Sequence, residues 1–379
     1  MQTLKRRKKY QRPIVISLCF VIFAVYACQQ TPPPPPPPQE PPQIPNYQLM
    51  VSPFDTGDPP GTGTYNVGVV PTRWFFKYVD DDHHYGANEL DTYGITVGPE
   101  WVDWQNFVRF RNKNGDDSYR WYVQSTIIGM HHSFMAVERR TVLSGDKGSS
   151  DSIPQFYENA LFKGFDAATV AMVGWRLEFS DPGVADHHIN KIGIRIQNVS
   201  YDRDAGRLDW TVRSYLSDSN GDDRYVWGYT FLIIAFNDGT VRSENIAGLL
   251  AGDTTSYQGT LIAPAGGQDR NKGIALLQGW VFDASVAMFT GDSHIRTNRF
   301  WLNNRSFDGT RLSYSIKFRF PFGAQLARVF SVDLVGLYFD NGGIGLYPTE
   351  ADWAPSGWPG RDYREVRFRY FYPLDFPVP

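Results

Sequence analysis

The chain has 379 residues, of which 37 are Lys or Arg and 40 are Asp or Glu, so that its formal net charge is −3. It is long enough to bury two or three ordinary domain cores, and 58 of its residues are aromatic. A mildly acidic chain of this kind is unlike a nucleic-acid-binding protein or a protein that binds anionic lipid surfaces.

The first 27 residues have the pattern of an export signal. Six Lys and Arg residues lie between Lys5 and Arg12, and the apolar stretch that follows is short for a membrane span. This stretch ends in Val25-Tyr26-Ala27-Cys28, which resembles the lipobox of bacterial lipoproteins. The resemblance implies lipidation of Cys28, cleavage before it, and an exported lipoprotein anchored to a membrane in the cell envelope or at the outer surface. An ordinary transmembrane anchor is the alternative.

Residues 28–46 are assigned to the lipidated cysteine and a proline-rich linker. Cleavage would leave 31 cationic and 40 acidic residues, a net charge of −9, and would remove Cys19. The exported part would therefore have no disulfide. The linker contains the uninterrupted run Pro32–Pro38, and polyproline II geometry makes it a semi-rigid spacer of roughly 50 Å. A proline-rich ligand for another domain is the competing interpretation.

From Asn46 onward, short apolar segments separated by turn residues predict an all-β protein. Leu208–Leu216 alternates large apolar with mostly polar residues, which predicts a half-buried strand. Phe231–Phe236 is continuously apolar, which predicts a strand covered on both faces. Between them, Asn220-Gly221 favours a hairpin turn.

Several markers recur at intervals of about 105 residues. Asn114–Trp121 matches Asn220–Trp227 at an offset of 106 residues. Trp74, Trp175 and Trp280 each open a strand, and the last two follow a glycine. We therefore predict three tandem antiparallel β-sandwich domains, over residues 47–150, 151–262 and 263–379.

The second repeat contains a series of β-core motifs: Val173-Gly174, Ile192–Ile196, Asn198-Val199-Ser200, Leu208-Asp209-Trp210 and Tyr225–Phe236. In this order they resemble the H-type lectin domain, a sugar-binding β-sandwich, over roughly 70 residues. Because lectins of that family are trimers of single domains, the resemblance also implies a single-chain pseudo-trimer.

The resemblance further implies where sugar would bind. The family uses the polar loop before its last strand and a basic residue early in the preceding central strand. The basic residue is here Lys191, and the loop corresponds to Ser217–Asp223, with Ser217, Asp218, Asn220, Asp222 and Asp223 as candidate ligand-binding residues. The loop is acidic here, where the family has aromatic and polar residues, which puts the family's particular sugar preference in doubt.

The same acidic segment has the oxygen ligands that calcium requires. Asp218, Asn220 and Asp222 alternate along it, and the first repeat has a weaker copy with Asn114 and Asp116. The twelfth position of an EF-hand loop needs a bidentate Glu, whereas Tyr229 stands there, and a solvated hairpin turn explains the same residues without a metal. Calcium is therefore the one cofactor that the sequence suggests.

Histidine pairs are the other candidate metal ligands. Six of the seven histidines occur as adjacent pairs, among them His187-His188. Adjacent residues of a strand point to opposite faces, so that a pair seldom supplies two ligands to one metal. His188, which has counterparts in the other repeats, is more simply a structural corner or a hydrogen-bond donor to a sugar.

The chain lacks Gly-x-Ser-x-Gly, His-Glu-x-x-His and phosphate-binding glycine motifs. We therefore expect a non-enzymatic, lectin-like surface lipoprotein that binds carbohydrate or a cell-surface partner in adhesion, with avidity from its tandem copies. Two alternatives stay open: an assembly lipoprotein that packs against other envelope proteins, and a glycan-active enzyme with carboxylates in no recognisable motif. Trp353 and Trp358, in a proline-rich segment, are the best candidates for exposed aromatic residues.

Overall fold

The computed structural model describes residues 65–78, 85–97, 101–112, 119–131, 133–143, 151–158, 160–180, 189–218, 224–250, 255–283, 297–319, 329–340, 342–348, 352–353 and 363–371. Cys28 and the proline-rich linker lie outside these residues. The described strands are Tyr65–Tyr78 (β1), Tyr85–Val97 (β2), Trp101–Asn112 (β3), Tyr119–His131 (β4), Ser133–Leu143 (β5), Asp151–Glu158 (β6), Ala167–Phe179 (β7), Ile189–Asp202 (β8), Arg207–Asp218 (β9), Tyr225–Phe236 (β10), Gly239–Leu250 (β11), Thr255–Ile262 (β12), Lys272–Asp283 (β13), Thr297–Phe307 (β14), Arg311–Arg319 (β15), Val329–Phe339 (β16), Gly342–Pro348 (β17), Asp352–Trp353 (β18) and Tyr363–Phe371 (β19).

The predicted all-β, antiparallel fold class is confirmed. Every strand pairing in the described part of the chain is antiparallel. Its one helix is a single 3₁₀ turn, Ala160–Phe162. Within the same residues, no helix has the length and apolar character needed to cross a membrane.

The two strand types predicted in the second repeat are also confirmed. In β9, Leu208, Trp210 and Val212 are buried, while the residues between them are partly exposed. In β10, every residue from Trp227 to Phe236 is buried. Its apolar side chains alternate between two separate cores, with Phe231 in the first and Leu232 in the second. A strand buried on both faces needs the continuous apolar run that the sequence shows.

The predicted hairpin between β9 and β10 is wrong. These strands do not pair with each other, because β9 pairs with β8 and β6, whereas β10 pairs with β7 and β5. The segment 219–223 therefore joins strands of two different sheets. An Asn-Gly pair describes local backbone preference only, and the pairing partners of the flanking strands are set elsewhere in the chain.

Three sheets with the same internal order make up the described structure. Sheet A runs β12-β15-β14-β1-β4-β17, with β18 also paired to β4, sheet B runs β19-β3-β2-β7-β10-β5, and sheet C runs β6-β9-β8-β13-β16-β11. Each repeat has five corresponding strands, which we number from first to fifth. They are β1–β5 in the first repeat, β7–β11 in the second and β13–β17 in the third. Each sheet combines the second, third and fifth strands of one repeat with the first and fourth strands of the next repeat.

This exchange of strands between repeats is cyclic, because sheet A combines strands of the third repeat with strands of the first. Each sheet also has a leading edge strand beside its third strand, namely β6, β12 and β19. The strand β12 lies before the predicted boundary at residue 262, yet it pairs with β15 of the third repeat. The C-terminal β19 pairs with β3 of the first repeat. Gln48–Pro379 accordingly forms one compact unit.

The three tryptophans that mark the repeats meet in the main core. The ring centroids lie 4.7 Å apart for Trp74 and Trp175, 5.6 Å for Trp175 and Trp280, and 6.2 Å for Trp74 and Trp280. They come from β1, β7 and β13, one strand of each sheet. The main core draws residues from all three sheets. The buried residues of a second core come from the first and fourth strands, and Met135 of β5 and Val241 of β11 pack against them.

A β-bulge precedes each of these tryptophans. The register between first and fourth strands shifts at Thr72, Val173 and Gln278, each of which is skipped in the pairing. The residue after the bulge is glycine in two of the three strands. A Cβ at Gly279 would lie 2.5 Å from Arg195 Cα, so that the backbones of β13 and β8 approach too closely there for any side chain.

Candidate functional site

The structure brings three of the predicted ligand-binding residues together at one end of sheet C. Lys191 of β8 stands opposite Ser217 of β9 and opposite Asp283 of β13, and Asp218 ends β9 beside them. The Lys191 ammonium lies 2.6 Å from Asp283 Oδ2 and 4.8 Å from the ring centroid of Tyr215. We call Lys191, Tyr215, Ser217 and Asp283 the Lys191 cluster.

A second charged group adjoins this cluster along the same outer face. Gly193 separates Lys191 from Arg195 on β8, and the register partner of Gly193 is Tyr215. Arg195 donates two hydrogen bonds to the Asp333 carboxylate, at 2.6 and 2.7 Å. These hydrogen bonds raise the pKa of Arg195 above its usual value, although its partial burial opposes the shift. Asp333 thus holds the Arg195 guanidinium in one place.

Side-chain exposure divides the residues at this end of sheet C into two groups. Ser217 and Asp218 are only 6% and 2% exposed, so that their side chains are not offered to a large ligand. The side chains of Lys191 and Asp283 are 28% and 18% exposed. The partly exposed ammonium and carboxylate supply a hydrogen-bond donor and acceptors of the kind that sugar hydroxyls use. Tyr215 is only 6% exposed and packs against the Lys191 ammonium.

Most predicted metal ligands lie outside the described residues. This is so for Asn114, Asp116, Asn220 and Asp222, and also for the predicted ligand-binding residues Asp223 and His188. Among the residues that the structure does describe, no group of three or more His, Cys, Asp and Glu side chains is arranged to hold a metal ion. Calcium binding by the acidic segments therefore stays a prediction.

Two glutamates on the outer face of sheet B, Glu178 and Glu89, lie among several arginines. Glu178 accepts hydrogen bonds from Arg111 at 2.9 Å and Arg176 at 2.6 Å, and it is also paired with Arg109. Glu89 stands opposite both Arg109 and Arg176 in the sheet. Burial by itself would raise the pKa of Glu178, but the hydrogen bonds and charges of Arg176 and Arg109 outweigh it and lower that pKa.

A carboxylate held in this way is poorly suited to be the general acid of a glycosidase. That role needs a proton at neutral pH and hence a raised pKa. Both oxygens of Glu178 are already engaged by arginines. Paired carboxylates and guanidinium groups of this kind hold neighbouring strands in register, and this is the role that the sheet B network fulfils.

Sequence reasoning overlooked a partly exposed tryptophan on sheet A. Trp301 of β14 stands opposite Arg73 of β1 and Lys317 of β15. The Arg73 guanidinium carbon lies 3.2 Å from the Trp301 ring centroid, and the Lys317 ammonium lies 5.1 Å from it. The available signal was the charge of the strands, because β1, β14 and β15 contain basic residues and no acidic ones.

Comparisons with known proteins found no relative for this chain. No protein-family model, no curated protein and no solved structure matches it. The fold and the arrangement of side chains are therefore the basis for any statement about function.

Proposed function

We propose that this protein is a non-enzymatic surface lipoprotein that is tethered through Cys28 and binds carbohydrate with outward-facing side chains of its sheets. The observation that carries the proposal is the Lys191 cluster on sheet C. It joins a charged donor, a charged acceptor and an aromatic ring at the position that the resemblance to H-type lectins implies. The adjoining Arg195–Asp333 pair adds a fixed guanidinium group.

The proposal has a direct test on the purified full-length chain in detergent. A glycan array would identify a bound sugar, and the affinity for it would be measured for the wild type and for Lys191→Ala with Asp283→Ala. We expect the double variant to weaken binding at least tenfold, about 1.4 kcal/mol, because both partly exposed charges of the cluster are lost.

The matched control removes a different opposite-charge pair from the same sheet. Arg207 and Asp209 of β9 are linked at 2.7 Å, and Arg207→Ala with Asp209→Ala leaves the Lys191 cluster untouched. The control should bind within twofold of the wild type. Binding to no glycan on the array, or equal loss in both double variants, would contradict the proposal and favour an assembly role.

A further inference from the structure

The three sheets differ sharply in charge. The seven strands of sheet A contain eight Lys and Arg residues, namely Arg73, Lys77, Arg120, Arg299, Arg305, Arg311, Lys317 and Arg319, and one acidic residue, Asp352. The described strands of sheet B contain six acidic residues, Glu89, Asp91, Asp103, Glu138, Glu178 and Glu365. Those of sheet C contain eight, namely Asp151, Glu158, Asp202, Asp209, Asp218, Glu244, Asp283 and Asp333. Sheet B also has eight Lys and Arg residues and sheet C has six, so that the strands of sheets A, B and C have net charges of 8 − 1 = +7, 8 − 6 = +2 and 6 − 8 = −2. Sheet A is distinguished by its lack of acidic residues to balance its cations.

Six of the basic residues of sheet A share its outer face. Their strand neighbours Trp74, Phe76, Trp121, Phe300 and Phe318 point into the main core, and side chains alternate along a strand. We call the opposite face the cationic face, and it consists of Arg73, Lys77, Arg120, Arg299, Lys317 and Arg319. Lys77, Lys317 and Arg319 are exposed, and the other three are partly exposed.

The register of sheet A places like charges side by side. Arg299 stands directly opposite Arg319, and Lys77 directly opposite Arg120. Like charges in directly opposed positions destabilise a sheet. Sheet C has one such pair, Arg195 and Arg213, but there the Asp333 carboxylate balances Arg195, and the opposed pair Lys191 and Asp283 has opposite charges. A bound anion would offset this repulsion between the strands of sheet A.

An aromatic strip runs through the cationic face. Trp301 lies between Arg73 and Lys317 across the strands, and Tyr122 accepts a hydrogen bond from Arg73 at 3.2 Å. The side chains of Trp301 and Tyr122 are partly exposed. Guanidinium groups suit carboxylate and sulfate groups because they can donate two parallel hydrogen bonds. The Arg73 guanidinium covers one face of the Trp301 ring at 3.2 Å, and the part of the indole that stays exposed offers an apolar surface to a sugar ring in the same place.

The dimensions of the cationic face indicate a polymer rather than a small anion. The face crosses β15, β14, β1 and β4, and four strands at about 4.8 Å spacing cover roughly 14 Å. We propose that this face binds an acidic polysaccharide, a linear chain with carboxylate or sulfate groups. It is a second binding site on a different sheet from the Lys191 cluster and does not depend on the function proposed there.

The test measures binding of the full-length chain to defined polymers. The probes are a sulfated glycosaminoglycan, polygalacturonate and neutral dextran of similar length, with double-stranded DNA and phosphatidylserine vesicles as competing anions. We expect binding to the two acidic polysaccharides and not to dextran, with affinity that falls as salt is added because exposed charges are screened. The proposal would be overturned if DNA or the vesicles bound more strongly than both acidic polysaccharides.

Variants separate this face from general charge attraction. Arg299→Gln with Lys317→Gln and Arg319→Gln should reduce affinity for the acidic polysaccharides more than tenfold. The matched control, Arg207→Gln with Arg242→Gln and Lys272→Gln on sheet C, removes the same number of charges and should change affinity less than twofold. Equal losses in both triple variants would overturn the proposal.

Two further readouts complete the test. Trp301→Ala should weaken polysaccharide binding at least fivefold while leaving any vesicle binding unchanged, and no effect on polysaccharide binding would count against the proposal.

Melting curves of the variants show whether each is folded, and Arg319→Gln should not lower Tm because it removes one of two opposed like charges. The variant Lys191→Ala with Asp283→Ala should retain polyanion binding, so that failure at one site is distinguishable from failure at the other.

Discussion

At the scale of single residues, the three tryptophans of the main core differ in the hydrogen bonds of their indole N–H groups. Trp74 Nε1 donates a hydrogen bond to Asn298 Oδ1 and Trp175 Nε1 donates one to Asn88 Oδ1, each at 3.0 Å and each buried. Asn298 and Asn88 hold equivalent register positions in sheets A and B. In sheet C, the equivalent position is held by Ile192. The repeats have therefore kept the tryptophan and changed its partner.

We predict that Asn88→Leu destabilises the protein by about 1–3 kcal/mol, because a buried N–H of Trp175 loses its acceptor. The free energy of unfolding in urea measures this loss. Ile192→Leu at the equivalent position of sheet C is the control and should cost less than about 1.5 kcal/mol, since no hydrogen bond is removed. An Asn88→Leu variant as stable as the wild type would show that this hydrogen bond contributes nothing to stability.

At the scale of the strand, the recurring bulge explains why glycine precedes two of the tryptophans. The bulge residue Gln278 donates a hydrogen bond from its side chain to Val170 O at 2.9 Å, and so links sheet C to sheet B. Directly after it, β13 and β8 approach closely at Gly279. A bulge increases the local twist of a strand. Here it accompanies the entry of Trp280 into the core.

We expect Gly279→Ala to be strongly destabilising, by about 2 kcal/mol or more, because its Cβ would meet backbone atoms of β8 that cannot move independently. The distances to Arg195 Cα and Ile194 O would be 2.5 and 2.6 Å. Thermal unfolding followed by circular dichroism measures the effect. The control is Gly164→Ala, where φ is +82° and no atom lies within 4 Å. This control should cost only about 1 kcal/mol of backbone strain, and equal costs would refute the packing argument.

At the scale of the whole molecule, the strand exchange makes the three repeats depend on one another. The second repeat contributes β8 and β9 to sheet C, but the strands β13 and β16 beside them come from the third repeat. The C-terminal β19 covers β3 at the edge of sheet B, where an open edge would invite pairing with other chains. No single repeat therefore contains all the strands of any one of the three described sheets.

We predict that residues 151–262, the second repeat alone, do not fold, whereas residues 48–379 melt in one cooperative transition. The isolated repeat lacks the strands that would cover both faces of β10 and pair with β8. Circular dichroism and calorimetry of the two fragments test this. A β-sheet spectrum and a cooperative melt for the isolated repeat would mean that the repeats are independent domains.

The candidate sites were predictable to different degrees. Sequence reasoning selected Lys191, Ser217 and Asp218 from a resemblance, and the register places them at one end of sheet C. It did not select Asp283 or Tyr215, which complete the cluster, because β13 belongs to another repeat and Tyr215 looked like an ordinary strand residue. The cationic face escaped notice because net charge is summed over the chain, and the acidic residues lie mostly on other strands.

The sequence by itself determined that the protein is β-rich, that β9 is buried on one face and β10 on both, and that the chain contains markers repeated three times. These properties follow from side-chain periodicity and from markers such as Trp74, Trp175 and Trp280, which are local to each strand. Only the tertiary structure decided which strands pair. The alternation of β9 fixes the face that it buries, but any strand with a matching pattern satisfies it equally well. The exchange between repeats is decided by where complementary cores and close backbone contacts can form together, as at Gly279.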